Sequence, residues 1–283
     1  MNEPNSPLSN ISDTALWVSY FRARETQRAD ALFRDPYAER LAGERGFQIA
    51  RTLPDGNKHE WAWVARTYLF DKFLSRLIQE GADLVINLAA GLDARPYRMQ
   101  LPNFLQWVEV DLPEIIAHKE AVLASEEPKC QLERIRLDLS DAEARRALFA
   151  ELDRRAKKIV VMCEGLLIYL TAEEVGSLAR DLAAGAHFQS WIIDLASPGQ
   201  LRLMQLTTGK QLREAGAAFK FAPPEGPNFF LPHGWKPKDV QGLLKTAAQF
   251  NRPPVELLSL LPEPQGAPGN FPWTGVCLLK KDH

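Results

Sequence analysis

The sequence has little from which a metal centre or a disulfide framework is made. Its 283 residues include three cysteines, Cys130, Cys163 and Cys277, odd in number and far apart, so neither a disulfide scaffold nor a Cys-x-x-Cys site is indicated. They read as small apolar residues. Five histidines, at 59, 118, 187, 233 and 283, are equally scattered and lack ligand spacing, so no metal is expected. A net charge of -2, with no run of Lys and Arg, removes the electrostatic footprint of a nucleic-acid binder. No apolar stretch approaches the roughly 20 residues that span a bilayer. The first residues, MNEPNSPLSN, lack the basic and apolar segments of a signal peptide. The expectation is a cytoplasmic protein that engages neither nucleic acid nor membrane. Internal repeats, heptads and low-complexity tracts are also missing, and oligomeric state is left open.

What remains is ordinary globular composition, 46% hydrophobic and 25% charged, with a clear alternation from residue 84 onward. Short runs rich in Val, Ile and Leu predict strands at 84–88, 106–110, 132–137, 158–163 and 190–196. Between them lie helical patterns: 113–124 opening on Pro113, 141–155 opening after Ser140, and 171–184 opening on Thr171 with Glu174 three residues later. Strand and helix in alternation predict an α/β fold with a doubly wound, mostly parallel, Rossmann-like sheet. Residues 1–83, with apolar positions at helical spacing, are expected to form an N-terminal helical cap on a core at 84–283. The Gly- and Pro-punctuated stretch 198–254 reads as an inserted lid, with helical character at 199–217 and 237–249. Its rings Phe219, Phe221, Phe229, Phe230 and Trp235 suit an apolar pocket for a small molecule. The runs VELLSL and WTGVCLLK, at 255–260 and 273–280, predict an antiparallel pair on the sheet edge.

In such sheets ligands bind beyond the carboxyl ends of the strands, where strand order reverses. The first strand ends in Ala89-Ala90-Gly91, the second in Glu109-Val110-Asp111, the third in Asp138-Leu139 and the fourth in Cys163-Glu164-Gly165. Asp111 lies 20 positions after Gly91, the distance at which a carboxylate takes the hydroxyls of a ribose. A pyrophosphate is disfavoured here. Asp93, Asp138 and Glu164 would repel it, and Ala89 replaces the first glycine of G-x-G-x-x-G, the glycine of the tight turn. A cofactor with a ribose and a positive charge is not disfavoured, and S-adenosylmethionine has a ribose for Asp111, an adenine amino group for Asp138, a sulfonium, an ammonium and no phosphate. An NAD(P)-dependent oxidoreductase remains the alternative, sharing the strand, the glycine turn and the spaced acid. A non-catalytic binding protein that keeps the fold is a third reading, supported by Ala89.

The segments INLAAGLDARPYRM, VEVDLP, RLDLSD and CEGLLIYLTAEEV, with TALWVSYFRARET, RDPYAERL and HGW, resemble the motif series of the leucine carboxyl methyltransferase-like family, in its bacterial O-methyltransferase branch. The resemblance spans about residues 12 to 240. It implies S-adenosyl-L-methionine as cofactor and a small-molecule acceptor, possessing a carboxyl or acidic hydroxyl group, of polyketide-type or other secondary metabolism. It further implies that Asp111 binds the ribose, that Asp138 and the backbone of Leu139 bind the adenine, and that Glu164 lies beside the methionine portion. Arg22 and Arg66 fall where the family holds the cofactor's carboxylate, which suits a guanidinium fork. Read without the resemblance, Arg22 belongs with Arg24 and Arg28 to a solvated face, and Arg66 lies over Trp63. Ala89 departs from the family, where glycine is usual. No catalytic base is evident: a carboxylate acceptor needs none, whereas a hydroxyl needs one or must ionise unaided.

Overall fold

The computed structural model describes residues 12–52, 60–207, 209–252 and 269–282. Three helices come first: α1 (Ser12–Thr26), α2 (Ala38–Thr52) and α3 (Glu60–Gln79). The alternating region follows with β1 (Leu84–Leu88), a single helical turn α4 (Arg95–Arg98), β2 (Gln106–Asp111), α5 (Pro113–Val122), β3 (Gln131–Arg136), α6 (Ala142–Asp153), β4 (Ile159–Cys163), α7 (Ala172–Ala184) and β5 (Phe188–Ala196). The chain then forms α8 (Pro198–Thr207), α9 (Gly209–Glu214), β6 (Trp235–Gly242), α10 (Leu243–Gln249) and β7 (Thr274–Lys281).

The seven strands form one sheet in the order β3-β2-β1-β4-β5-β7-β6. β1 to β5 are parallel and β7 runs antiparallel between β5 and β6. Every residue of β1 and β4 is buried, because helices cover both faces, and this is why LVINL and IVVMC are continuously apolar. Alternate residues serve opposite layers. Leu84, Ile86 and Leu88 pack with α6 and α7, whereas Val85 packs with α3 and α10. The edge strand β3 has only half-buried and exposed positions, β6 mixes buried with exposed ones, and β6 carries Pro237, Lys236 and Lys238, which discourage further strand pairing.

Local signals of the sequence appear as expected at α7, where Thr171 Oγ1 accepts the Glu174 N–H at 3.2 Å and Glu174 returns a bond to the Thr171 N–H at 2.6 Å. The cap of α6 is Asp141, which accepts from the N–H groups of Glu143 and Ala144.

Two expectations are corrected. Residues 237–242, read as helical, belong to β6: strand pairing with β7 outweighs their local pattern, and only 243–249 is helix. The stretch 198–254 is therefore not one insertion, since 235–249 completes the sheet and its helical layer, leaving α8, α9 and the connection to residue 233 outside it. The run 273–280 forms β7, paired antiparallel with β5 and β6, while the run 255–260, expected to pair with it, lies outside the described residues. In addition α3 packs directly on the sheet through Leu69, Phe70, Phe73, Leu74 and Leu77, so it belongs to the core and not to a separate cap.

Candidate active site

The strand ends of β1, β2, β4 and β5 meet α1 and α3 around a cavity of about 1160 Å³, at the point where strand order reverses between β1 and β4. This exceeds the 300–1,000 Å³ usual for one small ligand, which leaves room for two. All eight residues singled out from the sequence, Arg22, Arg66, Ala89, Gly91, Asp111, Asp138, Leu139 and Glu164, line it.

The loop after β1 is shaped by two residues in the left-handed region, Ala89 at φ 52° and Gly91 at φ 49°. Ala89 thus adopts the conformation for which glycine is the usual choice. Two bonds anchor the turn: the Ala90 N–H donates to the Val110 carbonyl at 3.2 Å, and the Gly91 N–H donates to Asp111 Oδ2 at 2.6 Å. Asp111 Oδ1 takes the Leu112 N–H at 2.7 Å. Burial pushes the Asp111 carboxyl above its usual range, with those N–H groups pulling the other way. Asp138 is exposed and accepts the Ser140 N–H at 2.9 Å, while Arg145 donates to the Leu139 carbonyl at 2.8 Å and pairs with Asp181, so the turn after β3 is held from α6.

The sequence allows Asp93 either to repel a pyrophosphate or to fix its loop by pairing with Arg95, and the structure shows that pairing. The Asp93 oxygens accept from Asn87 Nδ2, the Arg95 N–H and Arg95 Nη1, each at 2.8 Å. Burial opposes its ionisation, but Arg95, Lys119, Arg98 and Arg22 outweigh it and hold the carboxyl well below the usual range. Arg95 is saturated: Nε meets Asp71 at 2.6 Å, Nη1 meets Asp93 and Nη2 meets Glu164 at 2.8 Å. Glu164 is likewise engaged, since Arg66 Nε lies 3.1 Å from its other oxygen.

The two arginines expected to hold a carboxylate are both buried, which removes the solvated-face reading of Arg22. Arg22 gives Nε to Asp35 and Nη2 to Ser19 and the Leu92 carbonyl; Arg66 gives Nε to Glu164 and Nη1 to Asp194, and stacks over Trp63 with 4.7 Å to the ring centroid. Among the described residues, Arg22 Nη1 and Arg66 Nη2 have no hydrogen-bond partner. Each guanidinium is therefore oriented by carboxylates and retains one free edge, a geometry suited to an anionic group of a ligand.

Sequence reasoning missed Asp194, although the same strand-end logic applies to SWIIDLA. It accepts the Gly165 N–H at 2.7 Å and pairs with Arg66 at 3.1 Å, and burial pushes its carboxyl up. The aromatic side of the cavity also differs from expectation. Phe219 and Phe221 line it, but Phe230 and Trp235 are fully buried against Trp191, and Phe229 packs on the same cluster. Tyr169 lines the cavity beside Phe219. Burial pushes the thiols of Cys130 and Cys163 up to about 12. Among the described residues no group of His, Cys, Asp and Glu is arranged to hold a metal, and no helix is long and apolar enough to cross a membrane.

Comparisons with known proteins agree with this geometry. Residues 15–183 match the model of the family described as leucine carboxyl methyltransferase. A protein of Frankia alni, named as an S-adenosyl-L-methionine-dependent methyltransferase, is 33% identical over 271 residues, covering 87% of this chain and 90% of its own. One of Mycobacteroides abscessus bearing the same name is 31% identical over 229 residues, covering 76% and 75%. Among solved structures, a DUF574 family protein of Streptomyces avermitilis matches the fold with a TM-score of 0.60 at 12% identity, covering 93% of this chain and 96% of that one. A protein of Thermobifida fusca, titled as a methyltransferase, has a TM-score of 0.57 at 16% identity, covering 99% and 97%. The chain belongs to the leucine carboxyl methyltransferase family and is an S-adenosylmethionine-dependent methyltransferase.

Proposed function

We propose that the chain methylates an oxygen of a small-molecule acceptor, a carboxyl or an acidic hydroxyl group, in secondary metabolism of the polyketide type. The single observation that carries this is the division of the cavity into strand ends rich in charge and an aromatic remainder built by α1, α3 and the 219–221 segment. In this reading Asp111, positioned by the Gly91 and Leu112 N–H groups, uses its remaining lone pairs for the ribose hydroxyls. Asp138 and the backbone of Leu139 receive the adenine. The free edges of Arg22 and Arg66 take the cofactor's carboxylate, and Glu164 with the loop at Ala89 and Gly91 borders its methionine portion. When bound, the cofactor supplies an electrophilic methyl group on a sulfonium.

Transfer is an in-line displacement, so the protein's work is to orient two ligands and keep water out. No covalent enzyme intermediate is required. Helix α1 acts as a cap over the strand ends and contributes Arg22, and α8 borders the acceptor side. One calorimetric series tests the reading: S-adenosylhomocysteine should bind and NADH should not. Binding of NADH alone would restore the oxidoreductase alternative, and binding of neither would leave the fold without this cofactor.

A further inference from the structure

Three charged side chains stand behind the cavity without lining it: Asp35 from the connection between α1 and α2, Asp71 from α3 and Arg98 from α4. They join the two arginines assigned above to the cofactor's carboxylate into one row of alternating charge. Arg22 Nε lies 2.9 Å from Asp35 Oδ2, and Arg98 Nε lies 3.9 Å from the same oxygen. Arg98 donates through both Nη atoms to Asp71, each at 2.7 Å, and Arg95 Nε donates to Asp71 Oδ1 at 2.6 Å. Arg95 Nη2 then meets Glu164 Oε2 at 2.8 Å, and Glu164 Oε1 meets Arg66 Nε at 3.1 Å.

Asp71 is the middle of this row, and it grips an element that would not stand by itself. α4 has 4 residues, with no side-chain cap at Ala94, and a single turn fixes too many dihedrals for its few hydrogen bonds to be stable alone. The loop at 89–94 runs straight into that turn, so whatever fixes α4 also fixes the far end of the loop. Asp71 takes Arg95 and Arg98 together, which lie three residues apart and so share one face of the turn. The two arginine side chains are only 2% and 4% exposed, and a guanidinium so far from water stays with its carboxylates. Because Asp71 and Arg66 belong to the same helix, this grip sets the loop and Glu164 in register with Arg66.

We propose that Asp71 is a positioning residue for cofactor binding: without touching the ligand, it holds Arg95 and Arg98, and through them the Glu164–Arg66 and Asp35–Arg22 pairs, in the geometry that receives the amino-acid end of S-adenosylmethionine. This rests on the reading given under Proposed function and adds to it a residue outside the cavity. Position and charge make opposite demands here. Removal of an anion leaves the neighbouring arginines more attractive to a carboxylate, so a through-space effect alone would tighten binding. Loss of position weakens it, since the arginine forks must then be ordered when the ligand arrives.

The experiment is calorimetry on the full chain with two ligands, S-adenosylhomocysteine and 5′-methylthioadenosine, the second keeping adenine and ribose but lacking the carboxylate and ammonium. Asp71→Asn keeps the shape of the side chain and loses its charge. It should weaken S-adenosylhomocysteine about fivefold or more and leave methylthioadenosine within about twofold. Arg98→Lys, which keeps the charge but loses the fork on Asp71, should weaken S-adenosylhomocysteine about twofold to fourfold with the same selectivity, and it decides the matter if Asp71→Asn does not fold. Unchanged or tighter binding of S-adenosylhomocysteine overturns the proposal, and so does an equal loss for both ligands, which would make the role purely structural. Arg66→Lys distinguishes a failure of the clamp from a failure of this role. If it weakens S-adenosylhomocysteine selectively while the Asp71 and Arg98 variants do not, the clamp stands and only the role of Asp71 falls. If it has no selective effect, or if S-adenosylhomocysteine does not bind the unaltered protein, the cofactor placement has failed and this inference falls with it.

Discussion

Replacing Asp93 by asparagine tests whether the loop acid is part of the scaffold. The residue is 9% exposed and its three partners engage both oxygens. An amide at this position loses the charge-assisted bond to Arg95 Nη1 and turns an N–H group towards either Asn87 Nδ2 and Arg95 or the Arg95 backbone N–H. Breaking a buried ion pair costs about 3–5 kcal/mol. Arg95 keeps Asp71 and Glu164, so the lower end applies, and a loss of about 3 kcal/mol in unfolding free energy is expected at pH 7. The pH dependence gives a second handle. Because the folded-state pKa of Asp93 is depressed, its contribution is full above the unfolded carboxylate value of about 4 and is lost as pH falls through the lower folded value. Urea unfolding of both proteins should show a gap that is constant from about pH 5 upward and narrows below about pH 4. A gap under about 0.5 kcal/mol at pH 7, or one that does not narrow in acid, would refute the assignment of Asp93 as an ionised, load-sharing partner of Arg95.

Other expected outcomes concern the cofactor loop, the clamp and the rings. Asp111→Ala removes a carboxylate from the proposed ribose contact and should weaken S-adenosylhomocysteine by about 1.5–3 kcal/mol in calorimetry; unchanged affinity would displace the ribose from β2. Arg66→Lys keeps the charge without the fork, so it should weaken the same ligand clearly, and a decarboxylated analogue should lose less from the substitution than the parent compound. Ala89→Gly relieves the left-handed conformation but loosens the unfolded chain by roughly 0.4–1 kcal/mol, so stability should stay level or rise slightly; Ala89→Val should lower it, and the opposite ranking in urea would mean that φ 52° is not retained. Phe230→Ala should cost about 3–5 kcal/mol of stability because the ring is fully buried, whereas Phe219→Ala, half-buried at the cavity, should cost distinctly less in the same assay.

Much of the fold was legible because its signals are local. The buried strands LVINL and IVVMC announce themselves by composition, Thr171 and Glu174 mark a helix start three residues apart, and the parallel sheet follows from alternation. The 237–249 stretch was misread because Trp235–Gly242 becomes a strand through its partner: seven pairings with β7, a segment that returns from residue 274, override a helical local pattern. For the same reason Phe230 and Trp235 could not be separated from Phe219 by sequence, since whether a ring meets Trp191 or a cavity depends on residues far away in the chain.

The sequence alone determined the strand ends, because side chains at fixed offsets after a strand must emerge at the same edge of a parallel sheet, and so Asp111, Asp138 and Glu164 were placed by counting. It also fixed the family through contiguous motifs. Tertiary structure decided how their charges are used. Asp71 from α3, Asp93 from the loop and Glu164 from β4 converge on one guanidinium, Arg95, while Asp194 and Glu164 orient Arg66, and none of these pairings lies within one element. Electrostatic energy depends on separation and burial rather than on order along the chain. Which carboxylates are neutralised by buried cations, and which cationic edges stay free for a ligand, therefore emerged only when α1, α3 and the sheet were packed together.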